Sequence, residues 1–336
     1  RIGQSLGSMV EGMPWLGTFH SIGAKILRIH PELVGLKSDF TILDTDDQLR
    51  LIKQIIKLEN IDDKRWAPKL LLSYINTFKN KGLMPTEIEY NQDFQFADRK
   101  ASDLYALYQN RLSILNSADF GDLLLLSLNL LKNNADILDR YQNIFSYILV
   151  DEYQDTNVAQ YLWLRLLSQK NYNIACVGDD DQSIYGWRGA EVDNILRFES
   201  DYPGAKIIRL EENYRSTQKI LGAASGIISY NKDRLGKTLI ANIRDDGEDV
   251  HIRSVWDAEN EARLVTDEIE SKQRKGAGLE DIAILVRASF QMREFEDRFI
   301  ISGIPYRVIG GPRFYERQEI KDAISYIQVV SNPNND

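Results

Sequence analysis

Three short apolar runs constrain this chain more than any other feature. Phe145-Ser-Tyr-Ile-Leu-Val150 ends in Asp151-Glu152, Asn173-Ile-Ala-Cys-Val-Gly178 ends in Asp179-Asp180-Asp181, and Lys206-Ile-Ile-Arg-Leu210 is a third. Such runs are typical of parallel strands buried on both faces. Helical segments of roughly 15–20 residues separate them, so βαβ winding is expected. Acids collect where the strands end, and in open α/β sheets ligands bind at that carboxyl edge. A second α/β pattern follows: helix 217–230, strand 249–255, helix 258–273, strand 281–287, helix 289–302, strand 306–309 and a last helix over 317–330.

Upstream of these runs the spacing is helical. Ile22, Ile26, Leu27 and Ile29 mark a helix face that Pro31 stops. Thr45-Asp-Asp-Gln48 reads as a capping box with Thr45 as the cap, followed by Leu49, Ile52, Ile55 and Ile56 at helical spacing. The stretch from about 33 to 140 is predicted to be all-helical.

At 336 residues, and with roughly 150 residues to a domain, the chain has room for two domains or three. Its 43% hydrophobic and 27% charged residues exclude a disordered, collagen-like or coiled-coil chain. The formal charge of −9 argues against a protein coated in nucleic acid but leaves room for a local basic groove. The longest apolar runs, such as Leu123–Leu126, fall far short of the roughly 18 residues of a membrane span. The single Cys176 excludes an internal disulfide or a cysteine metal cluster. The chain opens Arg1-Ile2-Gly3-Gln4, with no Met and no apolar leader. It is expected to be a fragment or processed chain of a cytoplasmic protein.

Chemistry concentrates in three blocks. In Ile148-Leu-Val-Asp-Glu-Tyr-Gln-Asp155, adjacent carboxylates at a strand end suit nucleotide hydrolysis. Asp151 could hold Mg²⁺ through water and Glu152 could orient or deprotonate the attacking water. A surface turn with two solvated acids fits the octet equally well. In Val177-Gly-Asp-Asp-Asp-Gln-Ser-Ile-Tyr-Gly-Trp-Arg-Gly-Ala190, Gln182 could sense a terminal phosphate. Tyr185, Trp187 and Arg188 could form a stacking platform for single-strand bases. The alternative is a core Trp187, which its flanking glycines weaken. In Asn213-Tyr-Arg-Ser216, Arg215 could be an arginine finger and Tyr214 could stack on a purine. Taken alone, a surface Arg beside a helix start explains that block better.

These blocks occur in one order with Gly17-Thr-Phe-His-Ser21, Ala118-Asp-Phe-Gly-Asp-Leu-Leu124 and Gly310-Gly-Pro-Arg-Phe-Tyr-Glu-Arg-Gln-Glu-Ile-Lys-Asp322. Together they resemble the ordered motifs of the UvrD/Rep/PcrA superfamily 1A DNA helicases. The resemblance implies an α/β fold. A partial RecA-like, P-loop NTPase-type domain would occupy 1–20 and 146–211, with a helical insertion at 21–145. The first part of a second RecA-like domain would occupy 212–312 and the start of a second insertion 313–336. It implies ATP-driven 3′→5′ translocation on single-stranded DNA, with ATP, Mg²⁺, single-stranded DNA, single/double-strand junctions and DNA-repair proteins as partners and no membrane.

By that resemblance Asp151 and Glu152 would serve the metal, with Glu152 the catalytic base. Gln182 would contact the γ-phosphate, Arg215 would be the first arginine finger and Tyr214 would stack on adenine. Thr18, Phe19, His20, Tyr185, Trp187, Arg188, Arg313 and Phe314 would lie on DNA. Helicase–nucleases such as AddA or RecB carry similar motifs, although the central run and the compact insertion fit them less well. A non-catalytic single-strand binding module is a competing class, and a metal-dependent phosphohydrolase using Asp151, Glu152 and Asp179 a weaker one.

One expected motif is missing. No Gly-x-x-x-x-Gly-Lys-[Ser/Thr] loop occurs, and Gly236-Lys-Thr238 has Asn231 where the first Gly would stand. This segment alone is therefore expected to hydrolyse ATP negligibly. The remaining candidates read as decoys. Asp179-Asp180-Asp181 suits a turn, and Asp44, Asp46 and Asp47 suit helix capping. His20, His30 and His251 lack ligand spacing, and Cys176 reads as a buried small hydrophobe. Lys79 and Lys81 with Phe78 could touch duplex DNA or form a solvated helix end.

Overall fold

The computed structural model describes residues 13–89, 94–232, 234–243, 246–309 and 318–331. Contacts divide the chain into two compact units, Arg1–Ser216 with Ala224–Arg244, and Thr217–Ala223 with Asp245–Asp336.

In the first unit, α1 (Phe19–Ile29) begins at Thr18, whose hydroxyl accepts the Ser21 N–H, and stops before Pro31. The strand β1 (Thr41–Leu43) leads into α2 (Thr45–Leu58). The cap of α2 is Asp44, one residue before the expected Thr45. Its carboxylate accepts from the N–H groups of Asp46 and Asp47, and the Asp47 side chain closes the box. A carboxylate facing the positive helix end can take two N–H donors at once, so Asp44 outcompetes the neighbouring hydroxyl. Next come α3 (Pro68–Asn80), the short hairpin β2–β3 (Gln95–Phe96, Arg99–Lys100) and α4 (Ala101–Ile114). After them come β4 (Ser117–Asp119), α5 (Phe120–Asn133) and α6 (Ala135–Ile144).

The 33–140 stretch is thus mostly but not wholly helical. β4 pairs in parallel with β1, Thr41 opposite Ser117. Asn116 makes that possible: it turns the chain at φ +46°. Its side chain accepts the Lys37 N–H at 2.8 Å and donates to Asp39 at 2.9 Å.

Apolar faces of α2, α3 and α4 close around one core, with Ile52, Ile55, Ile75, Phe78, Leu104, Tyr105 and Tyr108 buried. Lys79 lies in it as well. Its ammonium is fully buried, 2.7 Å from Asp119 and 2.7 Å from Asp122. Tyr108 donates to Asp119 at 2.9 Å and Gln109 to Asp122 at 2.9 Å. Lys79 and Phe78 are therefore interior residues and not a surface for duplex DNA, because two buried carboxylates require the cation between them. Burial raises the carboxyl pKa of both acids. At Asp119 the Lys79 charge and hydrogen bond outweigh that and hold it below the usual range. At Asp122, burial and the Asp119 charge push it up to about 6.

The sheet positions the site. β5 (Ile148–Val150) and β6 (Ile174–Cys176) pair in parallel, Ile148 opposite Ile174 and Val150 opposite Cys176. α7 (Val158–Ser168) crosses between them, capped by Asn157, and forms the expected βαβ unit. Ile26 of α1, Leu128 and Leu131 of α5, Tyr141, Val150, Tyr153, Trp163 and Leu167 pack as one core beneath this ladder. Cys176 packs beside that core, and burial pushes its thiol up to about 12.

The run 206–210 carries no ladder among the described residues, and neither do 249–255, 281–287 or 306–309. Glu212–Asn213 instead pairs in parallel with Ile240–Ala241. The apolar runs have strand composition, but a strand needs a partner edge for its N–H and C=O groups. Ile207, Ile208 and Leu210 stay exposed, as does Leu149 of β5 at 85%. In the second unit, helices Ala258–Arg274 and Met292–Ser302 bury Ala262, Ile269, Phe295 and Phe299 in one core with Ile304, which follows the second helix.

Two outcomes follow from the buried charges. Lys79→Met leaves two carboxylates without their cation and is expected to lower stability by about 3–5 kcal/mol in urea unfolding; a loss under about 1 kcal/mol would contradict this assignment. Asp122 titrates higher folded than unfolded, so the native state binds the extra proton and stability from this group falls as pH rises from about 4 to about 6. Unfolding curves across that range should lose this component in Asp122→Asn; an identical pH profile would contradict it.

Candidate functional site

The site grows from the ends of β5 and β6. Asp151 and Glu152 follow β5 directly and are exposed. Glu152 adopts a left-handed backbone, φ +52°, uncommon for a side-chain-bearing residue. Its N–H is accepted by the Asp151 carboxylate at 3.1 Å. The chain then turns inward. Tyr153 donates its N–H to Val177 O at 3.0 Å, which ties the β5 corner to the residue after β6. Gln154, 1% exposed, donates from Nε2 to Glu152 Oε2 at 2.7 Å and accepts the Asp179 N–H on Oε1 at 2.9 Å. A Cβ on Gly178 would lie 2.7 Å from that Gln154 oxygen, so only glycine leaves room for it. Asp155 is pushed above the usual carboxyl range, first by burial and then by the charge of Glu152.

From Asp179 a single turn leads to Gln182. The Gln182 N–H donates to Asp179 O at 2.9 Å and its side-chain amide to the Asp179 carboxylate at 2.6 Å. Glu152 and Gln182, singled out from separate blocks of sequence, are thereby joined through Gln154 and Asp179. The three carboxylates diverge and each takes a different donor. Asp179 pairs with Lys237, Asp180 accepts the Leu235 N–H at 2.8 Å, and Asp181 pairs with Arg234 at 2.7 Å. Burial works against the Asp179 charge, but the hydrogen bonds from Lys237 and Gln182 outweigh it and hold its carboxyl below the usual range. No cluster of three metal-capable side chains occurs among the described residues. Lys237 of the Gly-Lys-Thr sequence is held by Asp179.

The next turn displays the aromatics. Gly186–Arg188 forms a single tight turn closed by Gly189 at φ +87°. Trp187 is 68% exposed, so it is not a core residue, and Tyr185 is half-buried. The Arg188 side chain is not among those described. Gly189 abuts Asn80 at the end of α3, where a Cβ would lie 2.9 Å from the Asn80 amide nitrogen. Asn80 in turn accepts from Asn157, the cap of α7, at 3.0 Å.

Thr18 is exposed and caps α1. The Phe19 ring packs edge-on against Trp163 at 5.9 Å, half-buried. His20 lies edge-on to Phe120 at 5.8 Å, and burial lowers its pKa. Tyr214 is exposed with its hydroxyl on Glu212. Arg215 is exposed, and its N–H and that of Ser216 are both accepted by Asn213 Oδ1, at 2.9 and 2.8 Å. Arg313 and Phe314 lie outside the described residues.

Comparison with known proteins decides the family. The profile of the UvrD/REP helicase N-terminal domain matches residues 1–203, and that of the UvrD-like helicase C-terminal domain matches residues 208–336. The chain belongs to the UvrD/Rep helicase family. It is 53% identical over 324 residues to a probable DNA helicase II homolog of Rickettsia conorii, covering 95% of this chain and 49% of that protein. It is 46% identical to DNA helicase II of Escherichia coli and 42% identical to the ATP-dependent DNA helicase PcrA of Staphylococcus aureus. Each of those matches covers 100% of this chain and 46% of the relative. The chain thus spans about half the length of these helicases. Family membership implies an α/β RecA-like fold, with which the parallel β5–β6 pairing and its crossover helix agree.

Two residues beside the candidate site are not singled out by the sequence. Phe120 is exposed at the first turn of α5, against His20. Its signal was an aromatic placed directly after a capping Asp, where a surface position is expected. Gln154 had none beyond its place two residues past Glu152, since an amide beside acids reads as an ordinary turn residue.

The backbone at Gly189 offers a direct check on this geometry. Gly189→Ala would place a side chain at positive φ and push on Asn80, so a loss of about 1–3 kcal/mol is expected in chemical denaturation. Unchanged stability would contradict the described turn.

Proposed function

We propose that the protein carrying this segment is an ATP-driven DNA helicase that moves 3′→5′ along single-stranded DNA, and that these residues supply its hydrolytic corner and part of its DNA track. The observation that carries this reading is the junction of the two strand ends. Glu152 and Gln182 are linked through Gln154 and Asp179, and five residues past Gln182 the same loop presents Trp187 to solvent. A site that senses a nucleotide's terminal phosphate and one that stacks on bases thus share one short, tied-down segment. A movement of Gln182 has a direct mechanical route to Trp187.

In this reading Glu152 orients and deprotonates the attacking water, and Gln182 contacts the γ-phosphate. Arg215 stabilises charge on the transferring phosphoryl group, and Tyr214 stacks on the adenine. The exposed, adjacent carboxylates of Asp151 and Glu152 suit Mg²⁺, which takes one or two carboxylates and fills the rest of its shell with water and phosphate oxygens. Asp151 would hold the ion through water, and the ion supplies charge neutralisation on the phosphates. Trp187 and Tyr185 stack on bases, Arg188 pairs with phosphate, and Thr18, His20 and Phe120 also contact the strand. Phe19 contributes by packing against Trp163 and holding the start of α1. By the family resemblance Arg313 and Phe314 would also contact DNA, single/double-strand junctions are the protein's substrate, and a cytoplasmic role in DNA repair or replication fits the reading.

Without a phosphate-cradling loop in these 336 residues, the segment by itself is expected to show no ATP hydrolysis above background with single-stranded DNA present. DNA-stimulated turnover on the order of 1 s⁻¹ or more would contradict this. For DNA, anisotropy of a labelled single strand across a salt series tests the track. Trp187→Ala is expected to weaken binding by about 10- to 100-fold, a loss of roughly 1–3 kcal/mol from one stacked base. The salt slope should be unchanged, because the slope counts phosphate contacts. Affinity within twofold of the parent chain would contradict the stacking role.

A further inference from the structure

Gln154 is the most constrained polar side chain in the site, and nothing in the proposed hydrolysis uses it. It is buried, yet both ends of its amide are spent on the two strand-end turns. Its orientation is dictated by its partners. The Asp179 backbone N–H can only donate and so requires the amide oxygen; a carboxylate on Glu152 can only accept and so requires the amide nitrogen. Among straight, uncharged side chains of this length only glutamine carries a donor and an acceptor on one planar group. Glutamate keeps the acceptor and loses the donor; methionine loses both. Gly178 leaves no Cβ where the Gln154 oxygen sits.

We propose that Gln154 is a positioning residue for hydrolysis. It holds the exposed Glu152 carboxylate in one orientation and locks it to the turn that carries Gln182, so that the base and the γ-phosphate sensor move as a unit. This rests on the assignment of Glu152 as the base. The need is physical: Glu152 is a flexible side chain at a solvent-facing corner, and a general base must sit within hydrogen-bond reach of its water to be effective. A single fixed donor on one carboxylate oxygen leaves the other oxygen free to face that water. The Asp179 end extends the constraint, because Asp179 in turn accepts both the N–H and the side-chain amide of Gln182.

The test is a double-mutant cycle in a full-length protein carrying this segment, reading DNA-stimulated kcat and KM for ATP. Gln154→Glu preserves size and the Asp179 bond but sets a carboxylate against Glu152. It is expected to lower kcat by about 10- to 100-fold with KM for ATP and single-strand affinity within about twofold. Gln154→Met should do the same and stands in if the first variant does not fold by circular dichroism. In a Glu152→Gln background, itself expected to be nearly inactive in single-turnover hydrolysis, either Gln154 change should cost less than about twofold more. A fold-destabilising role predicts instead that the losses multiply in that background, which would overturn the proposal. So would a kcat within about threefold of the unmodified protein in both single Gln154 variants. Turnover retained in Glu152→Gln would remove Glu152 as the base, and the positioning role with it.

Discussion

The parallel pairing of β5 with β6 is the interaction on which the rest of the site depends. Three residues on each side are enough, because the ladder continues past both strand ends: Val177 N–H to Val150 O at 2.8 Å, then Tyr153 N–H to Val177 O at 3.0 Å. Those two bonds fix where the chain must leave each strand. Asp151–Glu152 and Asp179–Gln182 then emerge side by side at the carboxyl edge, where every residue with a proposed role in hydrolysis on these strands is found. The strands bury Val150 against the helices of the first unit, so the edge is supported from below by Trp163, Tyr153 and Leu167.

Polar contacts make that edge rigid where packing cannot. Strand ends are surface features with few apolar neighbours, and here each turn is held by donors and acceptors matched in kind. Gln154 spans the two corners, Asn213 accepts two consecutive N–H groups beside Arg215, and three consecutive aspartates take three separate donors from residues 234–237. The helical part of the unit uses the same logic in its interior, where Lys79 satisfies Asp119 and Asp122. Asp119 and Asp122 also cap α5, and α5 carries Phe120 to the surface beside His20. A buried ion cluster and an exposed aromatic are thus consequences of one helix start.

How much of this was legible in the sequence depended on whether a residue's environment was local. Helices α1 to α7 follow from apolar spacing and caps, and the βαβ unit followed from two apolar runs ending in acids. The displacement of the α2 cap from Thr45 to Asp44 lay within one residue because two good capping side chains stand adjacent. The runs at 206–210, 249–255, 281–287 and 306–309 read as strands but find no partner edge among the described residues, since pairing is a property of the neighbour and not of the run. Lys79 misled for the same reason: a cation at a helix end is ordinarily solvated, and only the approach of β4 and α5, 40 residues later in sequence, buries it. Trp187 was readable because its glycines are local. Gln154 was not, because both of its partners had to be placed first.

The loop leaving β6 is proposed to join phosphate sensing to base stacking through an exposed Trp187. The most direct measurement is photo-crosslinking of this segment to a single-stranded oligonucleotide carrying 5-iodouracil, with the crosslinked residues located by mass spectrometry. Trp187 is expected to be a major adduct and Trp163, 4% exposed, to carry none. Robust crosslinking confined to other surfaces, with Trp187 unmodified, would contradict it.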